Sequence, residues 1–355
     1  WNASWHTGEG TGVGYIANAA VMDGLARDGD AARPGNQPFT LVFSAGNAGG
    51  APSTITSPKE AKNIILIASS QNARASYVGA KGRPDRISGF SSRGPARDGR
   101  IGITVTAPGE NVVSARARMG ALCTTDPPLD AGAPFYSLCS GTSMAAPHAT
   151  GAVALLTEQW RAQHGGTSPS PAMAKALLVN TAQDIGERDI PNGNEGWGRI
   201  DLAALLDRAA KRVTVDQSVR LDRVGQSYGL RVAPVDPRRP MKVTLVWTDA
   251  PGKPQAPTTR TGKNNKPALV NDLDLTLVGG EGTYRGNRFI DGVSVVGGAR
   301  DRLENVENVF VQRPSPRGYD LRIRATALPG DGVPGVGNRN DQDFALVLSN
   351  ARLVR

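Results

Sequence analysis

The sequence predicts an α/β layer with a mostly parallel sheet over residues 1–210, followed by an all-β sandwich or barrel over residues 211–355. Three observations carry this. In the first part, short apolar runs rich in β-favouring residues alternate with helix-period segments, the pattern of a parallel sheet with helices packed on it. Helical periodicity stops near residue 210. Beyond it, short segments with period-two alternation recur at turn-like spacing, as sandwiches and barrels require.

Each element has its own signal. Ala17, Val21 and Leu25 recur at i, i+4 and i+8, one apolar face of a helix. The runs Phe39–Ala45 and Asn63–Ser69 read as buried strands, and Ile103–Ala107 as a third, stopped by Pro108-Gly109. Gly141–Gln163 reads as a strand-to-helix turn and a long helix with apolar residues on every side, which predicts burial all round. Pro147 sits near its start, where a missing N–H costs least. A second helix is expected over Pro171–Thr181, after Gly165-Gly166. The later strands are expected at Thr214–Leu221, Ser227–Val232, Met241–Thr248, Ala268–Val278, Asn305–Gln312, Gly318–Ala325 and Asp343–Ser349. In one of them Tyr319, Leu321 and Ile323 alternate with Asp320, Arg322 and Arg324.

Composition narrows the function. No run approaches the roughly 20 apolar residues of a membrane helix. The net charge of +9 comes without a dense basic run or basic–aromatic interleaving, so it reads as an arginine-rich surface and not as a nucleic-acid interface. Gly252–Lys266 reads as a solvated loop. Cys123 and Cys139 fit neither a CxxC nor a zinc spacing. Either they are two buried thiols, or they form a disulfide, which suits a secreted protein. The chain starts at Trp1 with no signal-peptide pattern, so the natural N-terminus is expected to lie upstream.

Chemistry concentrates in Gly141-Thr-Ser-Met-Ala-Ala-Pro-His148. A nucleophilic hydroxyl has to project from a tight turn, and the positive end of a helix favours a developing oxyanion. Ser143 stands where both conditions meet. The plainer reading is a Ser or Thr cap on a buried helix. Ser44-Ala-Gly-Asn47 ends a predicted buried strand, where α/β folds place their sites, and the Asn47 amide can donate to an oxyanion. The plainer reading there is a turn asparagine.

Taken in order, Ser44-Ala-Gly-Asn47, Phe90-Ser-Ser-Arg-Gly-Pro95, Ala107-Pro-Gly109 and the Ser143 octapeptide resemble the subtilisin-like serine peptidases. Gly193-Asn-Glu-Gly-Trp-Gly-Arg-Ile-Asp201 resembles the close of their catalytic domain. Val243–Asp249, Leu269–Leu275 and Asn305–Val309 resemble the β-barrel domain appended to certain bacterial alkaline members. The resemblance implies a partial subtilisin-like three-layer α/β domain followed by a jelly-roll or sandwich domain. It implies Ser143 as nucleophile, with Asn47 and the Ser143 N–H as oxyanion donors. Ala45 and Gly46 then resemble a wall of the substrate side-chain pocket, and Asn2-Ala-Ser4-Trp5 the strand that pairs with substrate backbone. His6 stands where the family often has glycine. His148 resembles a structural position beside the nucleophile, not the base.

A serine peptidase also needs a base and a carboxylate to orient it. In this family both precede the serine, and the three histidines His6, His148 and His164 lie in no such motif. They are therefore expected upstream of residue 1, which leaves this chain alone inactive or very weak. Two readings follow: an endopeptidase completed by another segment of its own polypeptide, or a non-catalytic chain that keeps the cleft. An α/β hydrolase is a weaker third, because Ser143 has no Gly-x-Ser-x-Gly elbow. The resemblance also implies secretion, protein or peptide substrates, and structural calcium, with Asp272, Asp274, Asn305 and Glu307 as oxygen ligands if their strands lie close together. Without a metal these four are a polar strand face. Asp126 and Asp130 read as surface residues, and Asn2-Ala3-Ser4 as an unused glycosylation sequon.

Overall fold

A computed structural model describes residues 1–73, 82–116, 123, 135–257 and 266–354; Asp126 and Asp130 lie outside them. The first part contains β1 (Asn2–Ala3), α1 (Ala17–Arg27), β2 (Val42–Ser44), β3 (Ile65–Ser70), β4 (Val105–Pro108), β5 (Val112–Ala115), β6 (Tyr136–Cys139), α2 (Thr142–Gln163), α3 (Pro171–Thr181) and α4 (Leu202–Leu206). Strands β1 to β4 form a parallel sheet in sequence order. Alternate residues face opposite layers. Phe43, Leu66 and Ala68 pack with Tyr15 and Ala19 on the α1 side. Val42, Ile65, Ile67 and Val105 pack with Ala145, Ala149 and Val153 of α2 and with α3. The three-layer expectation is met.

The second part contains β7 (Arg212–Leu221), β8 (Ser227–Pro234), β9 (Met241–Val246), β10 (Asp272–Gly279), β11 (Gly282–Ile290), β12 (Val293–Val296), β13 (Val306–Val311), β14 (Tyr319–Ala327), β15 (Gln342–Ser349) and β16 (Ala351–Leu353). They form two antiparallel sheets, in the orders β12-β11-β10-β14-β8-β16 and β13-β9-β15-β7. Leu273, Leu275, Leu321 and Ile323 of the larger sheet share one core with Val243, Leu245, Leu346 and Leu348 of the smaller.

The smaller sheet is covered on its other face as well. There Val246, Val306, Phe310, Ala345 and Val347 join the core that holds α2 and α3. Helix α3 is thus wedged between the two parts, and its residues Pro171 to Asn180 are all buried. It is the helix buried all round. Helix α2 is not, contrary to the sequence expectation: Pro147, His148, Ala154 and Leu155 are exposed, because no described element packs on that side.

Charged groups also cross the seam. Lys62 Nζ lies 2.8 Å from Asp23 Oδ2 and 3.5 Å from Asp249 Oδ2, with all three side chains fully buried. Asn63 donates to the Asp249 carbonyl, and Asp249 N–H donates back to Asn63 Oδ1 at 2.9 Å. Arg27 holds Asp343 through two contacts, at 2.9 and 2.6 Å.

Candidate active site

Strand β2 delivers Ala45-Gly-Asn47 to the end of the parallel sheet, directly beneath the N-terminus of α2. Gly46 has φ +113°, a conformation that suits glycine, and a Cβ there would stand 2.8 Å from Ser92 Oγ. Its N–H donates to Thr142 Oγ1 at 3.1 Å. Asn47 Oδ1 accepts from both the N–H and the hydroxyl of Thr142, each at 2.9 Å. This clamp fixes the amide so that Nδ2 points away from Thr142 and stays free of acceptors among the described residues.

The space that Nδ2 faces is kept open by Gly141. A Cβ on that residue would stand 3.3 Å from Asn47 Nδ2 and 3.7 Å from the backbone nitrogen of Ser143. Both donors therefore border one small space at a helix N-terminus, where the dipole adds to their pull on negative charge. Ser143 is the second residue of α2 and half-buried. Neither its hydroxyl nor its N–H is hydrogen-bonded among the described residues.

Pro147, the sixth residue of α2, lies deeper than the sequence reading placed it. It has no N–H to give the carbonyl of Ser143. That carbonyl instead accepts from Ser4 Oγ at 3.4 Å, and Thr150 Oγ1 donates to Asn2 Oδ1 at 3.2 Å. The proline gap thus ties α2 to the segment that begins with β1. Beyond Ser4, Trp5 is exposed and meets Phe43 edge-on. Ala45 is different: the whole residue, backbone included, is buried in the core on the α1 side, so it does not reach the surface.

The histidines do not complete a triad. His6 Nδ1 accepts from Gly8 N–H, His148 Nδ1 lies 2.9 Å from the Met144 carbonyl, and His164 stacks on Trp160 at 3.9 Å. A cleft of about 550 Å³ lined by Trp160, His164 and Asp216 lies at the other end of α2, roughly 25 Å along the helix from Ser143. Cys123 and Cys139 are paired, and the bond anchors the strand that leads into the Ser143 turn.

Of the four residues expected around calcium, Asp272, Asp274 and Glu307 lie near enough for each carboxylate to feel the others' charge. Asn305 turns its amide to Asn63 Oδ1 and the Trp247 carbonyl. Asp274 is occupied by Arg300 at 2.7 Å and by Thr326. Glu307 accepts from Leu275 N–H, and its burial raises its pKa well above the usual range. Asp272 is pushed up to about 6 by burial and by Asp274. A bound arginine and an amide turned elsewhere do not suit a cation shell. Among the described residues, the one group of three acidic, His or Cys ligand atoms within 4.8 Å of one another is Asp184, Asp189 and Glu195.

Sequence reasoning missed Thr142, whose signal was its place beside the proposed nucleophile, and Pro147 as a link to Ser4. It also missed the paired strands β5 and β6, each only four residues long.

Comparison with known proteins finds serine proteases among the relatives of this chain. The chain is 29% identical over 266 residues to the serine protease/ABC transporter B family protein tagA of Dictyostelium discoideum, an alignment covering 67% of this chain and 14% of that protein. It is 34% identical over 198 residues to tripeptidyl-peptidase 2 of Drosophila melanogaster (52% and 12%), and 31% identical over 154 residues to the serine protease AprX of Bacillus subtilis (43% and 32%). The chain thus spans a minor part of each relative. Among solved structures, fervidolysin from Fervidobacterium pennivorans, a keratinolytic enzyme related to subtilisin, matches at 20% identity and a TM-score of 0.36, covering 85% of this chain and 34% of that one. The model of the subtilase family matches residues 1–198, more than half of the sequence, and the chain belongs to that family of serine peptidases.

Proposed function

We propose that Ser143 is the nucleophile of an endopeptidase that hydrolyses proteins through an acyl-enzyme, with Asn47 Nδ2 and the Ser143 N–H stabilising the oxyanion. The observation that carries this is the clamp on Asn47: two donors from Thr142 hold Oδ1, which leaves Nδ2 beside the free N–H of Ser143. Preorganised donors of this kind act where charge develops. Substrate extends along Asn2–Trp5, with Ser4 and Trp5 beside the acyl group and Gly46 contributing backbone. The base and its carboxylate come from polypeptide outside this chain. The open edge of β1, with exposed Trp1 and Trp5, and the bare apolar side of α2 support docking of such a segment there.

Without that segment Ser143 has no base, which favours the second reading, a binding chain that keeps the cleft. Labelling with a fluorophosphonate separates the two. This chain alone should react slowly, and the chain joined to a segment supplying His and Asp should react fast at Ser143. Fast reaction of the isolated chain sinks the claim that its base is external, and no reaction of the joined protein sinks Ser143 as nucleophile.

Secretion is supported by the Cys123–Cys139 disulfide, and no described helix is long and apolar enough to cross a membrane. The strand-rich part serves as a jelly-roll-like support. Calcium rests on the resemblance, with Asp274 also held by Arg300 and the Asn305 amide turned to Asn63. A lower melting temperature in chelator is the outcome the calcium proposal requires, and an unchanged one removes it.

A further inference from the structure

We propose that the outer face of the six-stranded sheet is a binding site for acidic polypeptide in extended conformation. The register across that sheet aligns Arg285, Thr276, Arg322 and Gly229 on four neighbouring strands. Directly opposite residues in antiparallel strands share a face. Arg324 lies two residues along β14 and so on the same side, as does Arg231, which is opposite Asp320. Arg231 is balanced by Asp320 at 3.0 Å. Arg285, Arg322 and Arg324 have no ion-pair partner among the described residues, and the last two are exposed. Asp274 lies opposite Arg324 in the register but is paired with Arg300 at 2.7 Å, so Arg285, Arg322 and Arg324 leave the face with a local positive excess.

It also has a shape. Gly229 contributes no side chain, and a cleft of about 500 Å³ opens over it, walled by Arg231, Asp320, Arg322, Thr276 and Val278. Arginine is the cation suited to forked contact with carboxylates. Arg322 and Arg324 stand two strand residues apart, about 6.6 Å. Carboxylates at alternate positions of an extended peptide repeat at that same distance. This match in both charge and spacing selects an acidic peptide segment. The surface lies outside the Ser143 site, and its occupation is read by binding alone, independently of catalysis.

The test is fluorescence anisotropy with a labelled Glu-Ala repeat peptide on the whole chain. Binding is expected at about 50 mM salt and should fall steeply toward about 500 mM, as screening shortens. Arg322→Glu with Arg324→Glu should weaken it at least about tenfold. Gly229→Val should weaken it as well, by filling the cleft. A Cβ at Gly229 meets only the Leu321 carbonyl, at 3.6 Å, so that variant keeps the fold and the charges. A Lys-Ala repeat should not bind. The proposal is overturned if the acidic peptide does not bind, if neither variant changes its binding, or if polygalacturonate alone is held at this face.

Discussion

At the scale of single residues, Asn47 is useful because its two ends are kept distinct. Oδ1 is committed to Thr142, so Nδ2 cannot rotate away without breaking two hydrogen bonds. Thr142→Val removes one of them and the acceptor for Gly46 N–H, while Thr142→Ser keeps both. In the base-completed enzyme, Thr142→Val should lower kcat about tenfold with little change in KM, and Thr142→Ser should restore most of it; equal rates for all three would show that the clamp is idle. Asn47→Ala removes the donor itself and should cost about 10²–10³-fold in kcat, the range found for such a donor in another member of the family. Ser143 and Asn47 could be singled out in the sequence because their motifs are local, and the fold sets them side by side around Gly141. Thr142 was not singled out, since its role depends on a strand about 95 residues away and only the fold supplies that neighbour.

At the scale of elements, α3 was delimited correctly by Pro171 and the apolar run, with Ser170 as its cap: Ser170 Oγ accepts from Met173 N–H at 2.9 Å. Which helix would be buried all round was not legible, because α2 and α3 are both apolar and the difference lies in what packs on them. Strand β11 was missed for a related reason. A Cβ at its Gly286 would stand 2.2 Å from Glu307 Oε2, so the glycine makes room for a buried carboxylate inside a strand. Burial has a cost on α3. Lys175 is 6% exposed and donates to the Lys62 carbonyl at 2.8 Å, and burial lowers its pKa to about 8 from 10.5. Its folded pKa lies below its unfolded one. Between pH 8 and 10.5 the unfolded chain holds more protons at this site, so stability rises with pH across that window and is lost again as pH falls through 8. The contribution is up to about 3 kcal/mol. Urea titrations at pH about 7 and about 10 should show this gain in the wild type and a smaller one in Lys175→Met; an equal gain in both would place the titration elsewhere.

At the scale of the whole molecule, the change in periodicity near residue 210 marks a change of architecture, since β7 begins at Arg212. It does not mark a break in the core. Helix α3 belongs to the first part by sequence, but packs against Val246, Phe310 and Val347 of the second. Periodicity reports local faces and is blind to which faces meet, so the seam could be found only in the fold. Removing the strand-rich part would strip one side of α3 and leave Lys62 without Asp249 and Arg27 without Asp343. Breaking a buried ion pair from one side costs about 3–5 kcal/mol, and exposing the face of α3 adds the loss of its apolar cover. The two parts are therefore expected to unfold together. Calorimetry of the full chain should give one transition, and residues 1–210 alone should lack cooperative melting. Lys62→Met should lower the stability of both parts at once, seen as a common shift in the melting of Trp197 beside the seam and Trp247 within the sandwich core. Two resolved transitions, with only one moved by Lys62→Met, would mean that the shared core does not couple them.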